Sequence, residues 1–109
     1  MKNRKKVVKK EIKKNKIGKK SRIATGIPGF DNLIQGGFED ESVNLIVGGS
    51  GSGKTIFSVQ FLMEGFRRGE VGLYITFEEK KEQFYSNMLE FGWDLEKAEK
   101  SGKFIFLEY

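Results

Sequence analysis

Gly48-Gly49-Ser50-Gly51-Ser52-Gly53-Lys54-Thr55 is the stretch on which the reading of this 109-residue chain turns. It fits G-x-x-x-x-G-K-[ST], and a short β-rich run, Ser42-Val43-Asn44-Leu45-Ile46-Val47, stops directly before it. A loop that wraps a phosphate must turn its backbone N–H groups inward, and side chains obstruct that turn. Four of the first six residues are Gly, and the other two, Ser50 and Ser52, are small. Lys54 can reach the β- and γ-phosphates of a nucleotide as a point charge. The Thr55 hydroxyl can enter the shell of Mg²⁺, which keeps waters and takes few protein ligands. A helix directly downstream would aim its first N–H groups at the same anion. Gly48 to Thr55 reads as a phosphate-binding loop.

Working outward, strand and helix signals alternate. Phe57, Phe61, Leu62 and Phe66 recur at three- and four-residue spacing, with Gly65 and Gly69 as stop signals, which predicts an amphipathic helix from about Lys54 to Arg67. Val71-Gly72-Leu73-Tyr74-Ile75-Thr76-Phe77 is a nearly continuous apolar strand, a pattern expected of burial on both faces. Phe84, Met88, Leu89 and Phe91 mark a second helix that stops at Gly92. Leu95 and Ala98 mark a further helical turn that stops at Gly102, and Phe104-Ile105-Phe106-Leu107 is a third strand. Upstream, the body begins near Ile23, and Pro28 to Ile34 suggest a turn and a short helix closed by Gly36-Gly37. Strands joined through helices imply an α/β fold of about three parallel strands with crossover helices.

Glu78-Glu79 follow the second strand directly. Ligands of open parallel sheets sit at the carboxyl ends of strands. If this strand neighbours the one before the glycine loop, Glu78 would face the γ-phosphate and could orient or deprotonate an attacking water. Equally, both carboxylates suit the first turn of the next helix, where negative charge favours the dipole. Spacing leaves the two readings open.

Composition excludes several chemistries. The chain has no Cys and no His, so disulfides, thiolate or imidazole metal sites, thiol catalysis and Ser-His triads are ruled out. No segment approaches the run of ~18 apolar residues needed to span a bilayer, and no apolar region follows the basic N-terminus. A soluble, cytoplasmic protein with no membrane partner is expected. The net charge of +5 is unevenly placed. Residues 1–22 hold twelve basic residues against Glu11 alone, a net of +11, whereas residues 23–109 hold eight basic and fourteen acidic residues, a net of −6. Residues 1–22 thus read as a basic, disordered tail. Three roles stay open for it: a solvated tail, a salt-sensitive contact with nucleic acid, or a membrane-surface contact. The tail lacks the aromatics that stack on single-stranded bases, and Val8, Ile12 and Ile17 give only a thin apolar stripe.

Several blocks in order carry a wider likeness. Ala24-Thr25-Gly26-Ile27-Pro28-Gly29-Phe30-Asp31-Asn32-Leu33-Ile34, then Gly36-Gly37-Phe38, the glycine loop, Tyr74-Ile75-Thr76-Phe77-Glu78-Glu79, Phe91-Gly92-Trp93-Asp94 and Phe104 to Leu107 resemble the KaiC-like branch of the RecA superfamily of P-loop ATPases. The resemblance runs from about Ile23 to the C-terminus. It implies a partial RecA-like core, the N-terminal half of an ATPase domain over residues 23–109, with ATP and Mg²⁺ at the Walker A loop. It further implies Glu78 as the water-activating base, Glu79 as its companion, and self-association such as a hexameric ring. By family order the strand ending at Glu108 precedes the Walker B strand, so Glu108 is not the Walker B acid. Hydrolysis is accordingly expected of a core completed by the missing half. The rival readings are a non-catalytic or truncated nucleotide-binding interaction module, and a recombinase-like protein that binds nucleic acid through its basic tail.

Overall fold

The computed structural model describes residues 21–49, 51 and 53–109. Eight elements follow one another: β1 (Arg22–Ile23), α1 (Phe30–Leu33), β2 (Phe38–Glu39), α2 (Lys54–Arg67), β3 (Gly72–Thr76), α3 (Lys81–Leu89), α4 (Leu95–Lys100) and β4 (Phe104–Glu108). The readings placed on the basic tail and on Ser50 and Ser52 fall on residues 1–20, 50 and 52, outside the described residues. Arg22 itself lies in β1, where its guanidinium donates to the Gln35 side chain at 3.2 Å and to the Gly37 carbonyl at 3.4 Å.

β3 and β4 pair in parallel over five residues, from Gly72 opposite Phe104 to Thr76 opposite Glu108. Parallel pairing requires a crossover, and α3 and α4 supply it. Phe84 and Met88, four apart on α3, meet Leu95 and Ala98 of α4, Phe104 of β4 and Val59 of α2 in one buried core. Rings continue the packing toward the sheet, where Phe84 lies 4.8 Å from Tyr74 and 5.3 Å from Phe106 between centroids. Asp94 caps α4 by accepting from the Lys97 amide at 3.0 Å, which satisfies a donor the helix cannot use itself.

α2 matches its predicted span. Gly65, read as a stop signal, lies inside the helix, and Gly69 is the residue that ends it. At a φ of +85°, Gly69 donates to the Phe66 carbonyl at 3.0 Å, and Glu70 donates to Gly65 at 2.8 Å. This pair of bonds closes the last turn, and only Gly adopts that φ without a Cβ penalty. Glu64 sits just upstream and accepts from both Arg67 and Arg68 at 2.6 Å.

Two expectations need correction. Ser42–Val47 is not a strand, and the sheet has two parallel strands rather than about three. Val43, Leu45 and Val47 are 100%, 88% and 81% exposed, and among the described residues this β-prone run has no partner strand. Propensity for strand expresses itself through neighbours, and none is in place here. Nor is β3 buried on both faces: Leu73 and Ile75 are about half exposed, while Gly72 and Thr76 are buried on the other face.

The sequence reading also missed a two-residue antiparallel ladder, in which Arg22 pairs with Glu39 and Ile23 with Phe38. Behind it, Asp31 pins the chain. Its carboxylate accepts from the Thr25 amide at 3.1 Å, the Thr25 hydroxyl at 2.6 Å and the Gly26 amide at 3.2 Å. Burial alone would raise the Asp31 carboxyl, but these donors outweigh it and hold the group below its ordinary range. Phe30, Phe38, Phe57 and Phe61 then join this region to α2, with centroid distances of 5.5 to 6.5 Å.

Candidate functional site

The glycine loop feeds straight into α2. Gly51 and Gly53 have φ of +78° and +92°, conformations that would strain any residue with a Cβ. Gly53 is the residue at the helix entrance, and among the described residues no side chain caps it. The first turn holds no acidic residue either. α4 is the counter-example, with Asp94 on its first amides and Glu96 in its first turn. Four amides at any helix start lack intrahelical acceptors. At α2 they are left to something other than the chain's own carboxylates, and the helix dipole makes an anion the favoured acceptor. Lys54 folds back over this entrance, its Nζ donating to the Gly48 carbonyl at 2.6 Å and to Gly49 at 2.9 Å. The ammonium therefore lies against the loop and not out in solvent beyond it.

The second group of predicted residues lies at the end of β3. Thr76, the last residue of the strand, is buried, and its hydroxyl accepts from the Glu78 and Glu79 amides, each at 3.3 Å. The chain turns there before α3, so Glu78 and Glu79 belong to the connection and not to the helix's first turn, which carries Glu82. Glu79 folds back on the strand. Its Oε1 accepts from the Tyr74 hydroxyl at 2.9 Å and from the Thr76 hydroxyl at 3.1 Å. Glu78 is exposed, and among the described residues its carboxylate has no hydrogen-bond partner.

Tyr74 lies near both groups. Glu79 accepts from the Tyr74 hydroxyl at 2.9 Å, and Thr55, second residue of α2, lies near the same phenol. Burial first, then the Glu79 carboxylate as acceptor and as negative charge, keep the Tyr74 phenol protonated far above its ordinary range; Thr55 acts in the opposite sense. Tyr74 therefore holds Glu79 and lies near the start of α2, without the strand-to-strand contact anticipated between β3 and residues 42–47. Tyr74 and Thr76 were not singled out from the sequence. Their signal was present: two hydroxyls spaced i, i+2 on one face of an otherwise apolar strand.

Glu108, at the end of β4, lies 3.7 Å from Lys80 in an ion pair. A cavity of about 470 Å³ lies between α2, β3 and residues 42–46. It is bounded by Phe57, Phe61 and Leu62 of α2, Leu73 and Ile75 of β3, and Asn44 and Ile46 of the unpaired segment. Glu39, Glu41, Ser42 and Ser58 also line it, so its walls mix polar and apolar groups. Among the described residues, no helix is long and apolar enough to cross a membrane, and no group of three or more Asp and Glu stands ready to hold a metal.

Comparison with known proteins bears on this arrangement. A family model described as ATPase: KaiC matches residues 23–109. Over 87 residues the chain is 48% identical to the circadian clock protein KaiC3 of Synechocystis sp., covering 80% of this chain and 17% of that protein. It is 46% identical over 87 residues to a UPF0273 protein of Thermotoga maritima, covering 80% of this chain and 36% of that one. A crystal structure of a KaiC-like protein from the hyperthermophilic archaeon Pyrococcus horikoshii OT3 superposes with a TM-score of 0.78 at 45% identity, covering 80% of this chain and 39% of that chain. The chain therefore spans less than two-fifths of the length of each of these three relatives.

Proposed function

The chain belongs to the KaiC family of ATPases, with an α/β structure similar to a KaiC-like RecA-fold protein, and on that premise we propose that it binds ATP with Mg²⁺ at Gly48–Thr55 and contributes Glu78 as the base for hydrolysis. The observation that supports this most is the start of α2, where among the described residues no side chain caps the helix and no acidic residue occupies the first turn, while Lys54 folds over the glycine loop. Glycine backbone and helix amides would receive the phosphates, and the Lys54 ammonium would exchange its loop carbonyls for phosphate oxygens. Thr55 is the residue present that fits Mg²⁺, through a single hydroxyl with the remaining positions filled by water and phosphate. The ion supplies charge neutralisation on the phosphates. Glu78, exposed and without a competing hydrogen bond among the described residues, would orient the attacking water in line with the phosphorus and take its proton. Glu79 supports it from the strand.

A titration of the full chain with a fluorescent ATP analogue and Mg²⁺, beside Lys54→Ala and Glu78→Gln, tests this reading. Saturable binding is expected in the parent chain, lost in Lys54→Ala. In Glu78→Gln, affinity should persist while phosphate release falls by roughly 10²-fold or more, the range of general base catalysis. Unchanged affinity in Lys54→Ala would remove the phosphate-loop assignment. Binding without turnover in the parent chain would leave a nucleotide-binding module in place of an enzyme.

A further inference from the structure

Two carboxylates stand at the end of β3, and the structure treats them differently. We propose that Tyr74 is a positioning residue: its hydroxyl, together with that of Thr76, fastens Glu79 to the sheet, so that Glu79 supports the site and Glu78 is the carboxylate presented to the nucleotide. This inference rests on the hydrolytic reading of the loop and adds the device that divides the labour between the pair.

The geometry is specific. Both hydroxyls converge on one oxygen, Glu79 Oε1, at 2.9 and 3.1 Å. The Tyr74 ring cannot swing, since it stacks on Phe106 at 5.7 Å with an interplanar angle of 8° and packs against Phe84 at 4.8 Å. Thr76 is equally fixed, with its hydroxyl accepting two amides while it donates to Glu79. A rigid aromatic and a buried threonine therefore set the direction of a carboxylate that would otherwise rotate freely.

A second Tyr–Glu pair shows what a purely structural version looks like. Tyr85 donates to Glu99 Oε1 at 2.9 Å, and Lys81 donates to Glu99 Oε2 at 2.6 Å. The lysine neutralises Glu99. Glu79 has no Lys or Arg partner among the described residues, so its donors are neutral hydroxyls that orient the group without cancelling its charge. A retained negative charge beside the water-activating residue is useful to catalysis and useless as a fold clamp. Thr55, at the start of α2, lies near the same phenol.

Tyr74→Phe tests this, because it removes the hydroxyl and keeps the stacked ring. Two readouts are taken on the full chain. Three-bond couplings of the Glu79 β-protons should report one rotamer in the parent and averaged rotamers in the variant. With Mg-ATP, kcat should fall roughly 10- to 100-fold, as for a displaced catalytic neighbour, with KM nearly unchanged. Against a Glu79→Gln background the same substitution should have little further effect, since Tyr74 acts through Glu79. An unchanged Glu79 rotamer in Tyr74→Phe overturns the proposal, as does a full additional loss of kcat in the Glu79→Gln background. Averaged rotamers with no turnover in the parent chain would uphold the positioning role and sink the hydrolytic reading instead.

Discussion

Two β-prone, mainly apolar stretches of this chain have opposite fates. Phe104-Ile105-Phe106-Leu107 pairs with β3 along its whole length and sends Phe104 into the core. Val43-Asn44-Leu45-Ile46-Val47, richer in β-branched residues, joins no ladder among the described residues, and all five of its residues are exposed. The difference lies in what each stretch can reach. β4 is delivered to β3 by α3 and α4, whose apolar faces bury Phe84, Met88, Leu95 and Ala98 on the way. Residues 42–47 lie across a cavity of about 470 Å³ from β3, with Asn44 and Ile46 on one wall and Leu73 and Ile75 on the other. Adjacent strands must approach to about 4.8 Å, and among the described residues 42–47 form no ladder with β3. A strand is thus a property of a pair.

This contrast can be broken by substitution. The largest effect is expected at Leu95, fully buried where α4 meets the sheet. Leu95→Ala should lower unfolding free energy by about 2–5 kcal/mol in urea denaturation, combining lost transfer energy with an unfilled cavity. A loss below about 1 kcal/mol would mean the core of the ordered half is looser than its packing indicates.

A smaller effect belongs to Glu64. Hydrogen bonds from Arg67 and then Arg68 hold its carboxyl down at about 2, from an ordinary 4.5. A carboxyl depressed in the folded state stabilises it above the unfolded value, and that contribution fades as pH falls from about 4.5 toward about 2. Urea midpoints of the parent and Glu64→Gln should therefore differ most above pH 4.5 and converge as pH approaches 2. A gap that persists undiminished at the acid end would show that Glu64 acts through packing rather than charge.

The smallest effect is expected in the unpaired stretch. Leu45→Ser should shift stability by no more than about 0.5 kcal/mol, as for other exposed positions free of special contacts. A loss of 2 kcal/mol or more would erase the contrast, because it would mean that Leu45 is buried in solution.

How much could be read beforehand follows the same division. α2 was legible because Phe57, Phe61 and Phe66 repeat at helical spacing and the chain behind them ends on Gly69. β3 and β4 were legible as apolar runs bounded by turns. The Thr25–Asp31 lock and the ladder of Arg22–Ile23 with Phe38–Glu39 were not, since two-residue strands carry no periodicity and a lone Asp gives no sign of which amides it will meet. At the site, Lys54, Thr55 and the Glu78–Glu79 pair could be picked out by residue type and spacing. The role of Tyr74 could not, because its partner Glu79 lies beyond the strand's end.

Sequence by itself determined the local things: which stretches are helical, where glycine must permit a turn, and which side chains have the chemistry to meet phosphate and water. Those depend on periodicity, φ and residue type, all written within a few positions of one another. Tertiary structure alone decided which β-prone run became a strand, which face of β3 was left half open, and which of two adjacent glutamates was tied down. Each of those turns on a neighbour distant in sequence, and burial and hydrogen bonding are energies of contact between such neighbours.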